Sequence, residues 1–169
     1  MNAPLITIYN RILDNATGEI LTDWSEYDES ILYYGYCLSN LGGESSYVLE
    51  TEIWNMEDSF NSGMYDYYCE NAINCNFSII PYDNSVNLYK LGGFVYGRCI
   101  TTDLKAPFKK IPPTGYLPDF HGTIHPENKN ILYGCGDHCT IQTKLIIPKN
   151  TALADNKNYQ FYLAFSYEY

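Results

Sequence analysis

The chain has 169 residues, 46% hydrophobic and 18% charged, enough to bury a core and too apolar for a disordered protein. Its 20 Asp and Glu against 10 Lys and Arg give a formal charge of −10, the wrong sign for a nucleic-acid partner or an anionic membrane surface. No window approaches the ~18 apolar residues of a membrane span, and the start lacks the basic-then-apolar pattern of an export signal.

Strand signals dominate in chain order. "LITIY" (5–9) is a first strand and "SILYYGYCLS" (30–39) a second. The turn signal "NLGGESS" follows, and "YVLETEIW" (47–54) completes a hairpin-like pair with the second strand. "MEDSFNSGMYDYYCENAIN" (56–74) is the best helix candidate, but Gly63 interrupts it and its apolar spacing is poor. Three more strands, "NFSIIPY" (76–82), "SVNLYKL" (85–91) and "GFVYGRCIT" (93–101), are separated by "DN" and "GG" turns. Residues 103–130 carry five prolines and read as a long irregular excursion.

The last two segments are the clearest. In "CTIQTKLIIP", Cys139, Ile141, Thr143, Leu145 and Ile147 alternate with Thr140, Gln142, Lys144 and Ile146 before Pro148 ends the ladder. In "NYQFYLAFSYEY", Tyr159, Phe161, Leu163, Phe165, Tyr167 and Tyr169 share one face. This last strand is expected to be ordered to its end and central to the fold. Short strands and turns at regular spacing predict an all-β chain: a single antiparallel β-sandwich, immunoglobulin-like or jelly-roll-like, over residues 1–169, with 103–130 as one long proline-rich loop.

Eighteen tyrosines suit strands and interfaces, though an AT-rich genome also enriches tyrosine. Six cysteines (Cys37, Cys69, Cys75, Cys99, Cys135, Cys139) are too sparse for a disulfide scaffold, so reduced and mostly buried thiols are expected. Cys69–Cys75 and Cys135–Cys139 bridges remain geometrically open.

"HGTIHPENKNILYGCGDHC" (121–139) raises the question of a metal. His121, His125, Cys135, His138 and Cys139 are the right ligand types for zinc. Their spacing is not: Gly122 and Pro126 oppose a helical His-x-x-x-His pair, no Glu stands between the histidines, and Cys135-Gly-Asp-His-Cys139 lacks the two-residue knuckle spacer. The expected reading is a turn before a strand, with Cys139 as the strand's first inward residue. A four-thiolate site from Cys69, Cys75, Cys135 and Cys139 would need two distant segments to meet. No nucleophile elbow or phosphate-cradling loop is present, and the pairs Glu50/Glu52 and Glu57/Asp58 suit solvation more than acid–base work. The expectation is therefore no catalytic, cofactor-binding or metal-binding residues, and a protein that is not an enzyme. A glycan-binding module is the alternative, with Trp24, Trp54, Tyr33, Tyr34, Tyr67 and Tyr68 as candidate aromatic platforms, and a zinc-stabilised domain or enzyme using the His/Cys cluster is the third reading.

The paired strands around "YVLETEIWN", the Gly-Asp turn leading into "IQTKLIIPKN" and the terminal "YQFYLAFSYEY" together resemble the immunoglobulin-like β-sandwich structural proteins of tailed bacteriophage particles. The resemblance covers the strand-bearing parts and omits the proline-rich excursion; no functional residue carries over. It implies a virion protein assembled in the host cytoplasm, in head, neck, tail or baseplate, whose partners are copies of itself and other structural proteins. A surface glycan is the partner under the alternative, a receptor-binding tip.

Overall fold

The computed structural model describes residues 2–27, 34–37, 43–45, 47–55, 69–81, 93–112, 115–134, 136–149 and 158–169; for 34–37, 81 and 158–162 it describes the backbone alone. The predicted strand at 85–91 and most of the helix candidate (56–68) lie outside these residues. No helix occurs among the described ones.

Among the described residues ten strands form in order: β1 (Ile6–Asp14), β2 (Ser25–Glu26), β3 (Tyr34–Cys37), β4 (Gly43–Glu44), β5 (Tyr47–Asn55), β6 (Ile73–Pro81), β7 (Phe94–Cys99), β8 (Lys109–Ile111), β9 (Asp137–Ile147) and β10 (Asn158–Glu168). They make two antiparallel sheets in a sandwich-like arrangement. The larger runs β2-β1-β5-β9-β7-β8, with β4 also on β9; the smaller runs β3-β10-β6.

The period-two pattern of β9 survives into three dimensions. Cys139, Ile141, Thr143, Leu145 and Ile147 are buried, while His138, Thr140, Lys144 and Ile146 are less so. One core cluster takes Leu49, Ile53, Val95 and Leu145 from the larger sheet and Phe77, Ile79 and Leu163 from the smaller. Each such side chain gains about 1.5–3 kcal/mol from leaving water. β10 sits in the middle of its three-stranded sheet, with Leu163 buried and Phe165 and Tyr167 packed on the core.

Two expectations need correction. The second and third predicted strands are not a hairpin: β3 pairs with β10 in one sheet, while β5 pairs with β1 and β9 in the other. A turn signal between two strands does not by itself make them partners, and these two lie in different sheets. The candidate helix also fails where it is described, since Ala72 bridges Leu132 and β6 begins at Ile73.

The stretch 103–130 is held down at several points among its described residues. It supplies β8, and it sends Leu117 and Phe120 into the core. Gly97 on β7 makes room for this, because a Cβ there would collide with the ends of Leu117 and Ile111. The following backbone covers the outer edge of β6. Leu117 N–H donates to the Phe77 carbonyl (2.7 Å), Cys75 N–H donates to Asn130 (2.9 Å), and Ala72 and Leu132 exchange a pair of bonds. An exposed strand edge invites pairing with another chain, and this segment removes much of that one.

Candidate functional site

The histidine- and cysteine-rich stretch is organised by a carboxylate. Asp137, first residue of β9, is fully buried. Its Oδ1 accepts the backbone N–H groups of Thr123 (2.7 Å), Ile124 (3.1 Å) and His138 (3.0 Å) and the Thr123 hydroxyl (3.0 Å); Oδ2 accepts Tyr133 N–H (2.9 Å). These bonds gather Thr123, Ile124, Tyr133 and His138 around one side chain. Gly122 is obligatory beside it, since a Cβ there would fall on the Asp137 carboxylate.

That arrangement disperses the candidate ligands. His121 is buried; its Nδ1 donates to the Asp119 carbonyl (2.7 Å) and its Nε2 lies 3.0 Å from Thr102 Oγ1. His125 is exposed and sits 3.2 Å from Glu127. His138 and Cys139 are neighbours on a strand, so they point to opposite faces: His138 outward, Cys139 into the core. Cys135 lies outside the described residues. Among the described residues no three His, Cys, Asp or Glu groups are placed to hold a metal ion. Cys99, absent from the predicted cluster, has its Sγ 3.8 Å from His121 Nδ1. Both are buried, and Cys99 also lies 3.2 Å from Thr101 Oγ1, which suits packing.

The thiols follow suit. Cys69, Cys75, Cys99 and Cys139 are buried and unbridged. Burial pushes the Cys75 thiol up to about 12 and raises Cys139 well above its ordinary value. A thiol that does not ionise is a poor nucleophile and a poor ligand.

The outer face of the larger sheet carries the most developed polar network. Arg11 on β1 binds Glu50 on β5 through Nε (2.8 Å) and Nη2 (2.6 Å), both to Oε1. Gln142 on β9 donates to the other oxygen, Oε2, at 2.6 Å. Gln142 Oε1 in turn accepts from Arg98 on β7, at 3.0 Å from Nε and 2.7 Å from Nη2. Arg98 Nη1 closes the row on the Ala106 carbonyl (3.0 Å). Four strands are thus crossed by one chain of side-chain bonds. Rings cover its ends: Arg11 lies 4.4 Å from the Trp24 ring centre, and Arg98 4.3 Å from that of Phe108.

A shallow recess of about 380 Å³ opens over this network, lined by Arg11, Trp24, Glu52, Thr101, Leu104 and Thr140 among others. No family model matches the chain. No curated protein and no solved structure matches it significantly either. What the recess can do chemically follows from its own groups. Both oxygens of Glu50 already accept hydrogen bonds, from Arg11 and from Gln142. Glu52 shares the outer face of β5 and lies 3.9 Å from His138 Nε2. His138 stacks on Trp54 at 4.0 Å, its Nδ1 is buried without a partner among the described residues, and burial holds its pKa below the usual imidazole value against the opposing pull of Asp137.

Of the candidate platforms, Trp24 and Trp54 therefore each have a neighbour against the ring, Arg11 and His138. Tyr34 is described only as backbone, and Tyr33, Tyr67 and Tyr68 lie outside the described residues. The Arg11–Glu50–Gln142–Arg98 row escaped sequence reasoning. Alternation puts each residue on an outer face, but strand order is needed to align them.

Proposed function

We propose that the chain is a structural or adaptor protein of a phage-like virion, acting through protein–protein interfaces in a symmetric multi-copy assembly. The supporting observation is the outer face of the larger sheet. Its Arg11–Glu50–Gln142–Arg98 row is already bonded from end to end, so a partner covering that row strands none of its charges. Beside them stand apolar groups that the fold leaves in water, Leu104 at 76% exposure above all, with Ile20 and Leu21 on the β1–β2 turn. A preset polar lattice flanked by exposed apolar side chains suits a protein contact. Quantitative mass spectrometry of purified particles from cells carrying the gene tests the reading. The chain should be present in many copies per particle; its absence would overturn the proposal.

A second reading, a carbohydrate-binding module, is favoured by Trp24 standing beside Glu52 and Thr140 in the recess. An indole with adjacent carboxylate and hydroxyl suits a sugar ring. Glycan-array binding that disappears in Trp24→Ala would support it, and an empty array would remove it.

A further inference from the structure

Charge divides the chain in two. Residues 1–89 hold one of the ten cations, Arg11, and fourteen of the twenty carboxylates; residues 90–169 hold nine cations and six carboxylates. The first part carries −13 and the second +3, giving the total of −10. The fold keeps this division visible in the larger sheet. β2, β1 and β5 come from the acidic part and lie together; β9, β7 and β8 come from the basic part and lie together.

The two edge strands express the contrast. At one edge, Glu19, Asp23 and Glu26 on and before β2 are exposed, and their carboxylates make no bond among the described residues. At the other, Lys105, Lys109 and Lys110 on and before β8 are exposed. Two carboxylates temper that edge: Asp119 pairs with Lys109 at 2.6 Å, and Asp103 accepts the Lys105 N–H. Lys110 rests over Phe94, 3.3 Å from its centre. The Lys109–Asp119 pair is about half exposed on both sides, so it exchanges partners at little cost.

We infer that copies of this chain join head to tail, the lysine-bearing β8 edge of one against the acidic β2 edge of the next. Strand direction permits it. Six strands alternate from β2 to β8, so the two outermost run in opposite senses. A copy displaced across the sheet therefore presents its β2 antiparallel to β8, the pairing used throughout the sheet. Short, charged edge strands ordinarily prevent sheets from joining. Here the signs differ, so like edges repel and unlike edges attract. Such a contact is heterologous, and its repetition builds a ring or a filament. The inference rests on the assembly reading above and specifies one partner, a second copy.

Complementary charge reversal tests it on the full chain. Mass photometry should show self-association at about 50 mM salt that weakens at about 500 mM, as screening lengths shorten. Lys109→Glu/Lys110→Glu makes both edges acidic; Asp23→Lys/Glu26→Lys makes both basic. Each variant alone should associate at least about tenfold more weakly than the parent, and an equimolar mixture should restore assembly. Restoration also shows that both variants are folded. A parent that stays monomeric at low salt, variants that associate like the parent, or a mixture that fails to recover would each overturn the edge contact. Particle mass spectrometry is independent of all three results, so the broader reading stands or falls separately.

Discussion

Arg11 and Glu50 meet across the β1–β5 pair with Nη2 2.6 Å from Oε1, and Glu50 is only 4% exposed. A buried carboxylate that loses its cation keeps the desolvation cost and forfeits the attraction. Arg11→Met should destabilise the fold by about 2–3 kcal/mol, below the fully buried range because Arg11 retains some solvent. Arg11→Met/Glu50→Leu should recover part of that loss, since the buried charge goes while Gln142 loses its acceptor. Urea unfolding of the single and double variants measures the coupling; additive losses would mean the pair contributes nothing specific.

Asp137 accepts four backbone N–H groups and one hydroxyl in a fully buried setting. Asp137→Ala strands those donors, each an unmet bond costing about 1–3 kcal/mol unless water enters. A total loss of at least about 3 kcal/mol is expected, with hydrogen exchange accelerating first at Thr123, Ile124 and Tyr133. Protection unchanged at those three amides would contradict the assigned role.

His138 gives the fold an acid-side sensitivity. Its folded pKa is depressed by burial, so below the unfolded value of about 6.5 the unfolded chain binds a proton that the folded chain resists. Stability attributable to this residue is therefore present at neutral pH and declines as pH falls through about 6.5. His138→Phe keeps a ring against Trp54 and should flatten the change in urea midpoint between pH 7 and pH 5. An equally steep profile in the variant would assign the sensitivity elsewhere.

On the alkaline side the cysteines act. The Cys75 thiol is held up at about 12, against 9.0 for an ordinary thiol, by burial first. The unfolded chain releases that proton earlier, so stability should fall as pH rises from about 9 towards 12. At pH 8, alkylation of Cys75 and Cys139 by iodoacetamide should proceed only as fast as the protein opens. Labelling at the rate of a free thiol in folded protein would refute their burial.

How much of this could be read from the sequence varies by element. β9 and β10 were legible because one face is greasy and the other is not, and the predicted bounds differ from the observed ones by one or two residues. β1 was anticipated only as 5–9 and continues to Asp14, because Asn10 and Arg11 break the apolar pattern; they pair instead with Thr51 and Glu50. β2, β4 and β8 are two or three residues long, too short for any periodicity to register. Asp137 looked like an ordinary turn aspartate, since nothing local reveals how many amides converge on it. The division of charge at residue 89 was legible from composition, yet its meaning required the strand order.

Glu50 and Gln142, joined at 2.6 Å, stand 92 positions apart, on strands that begin at Tyr47 and Asp137. A ribosome must therefore release β5 long before β9 exists to close its second side. During that interval the emerging chain has β1 to pair with but an open ladder on the flank that will become the centre of the sheet. The larger sheet must wait for β9 to be made, and chains truncated before residue 137 should aggregate in cells short of holding chaperones.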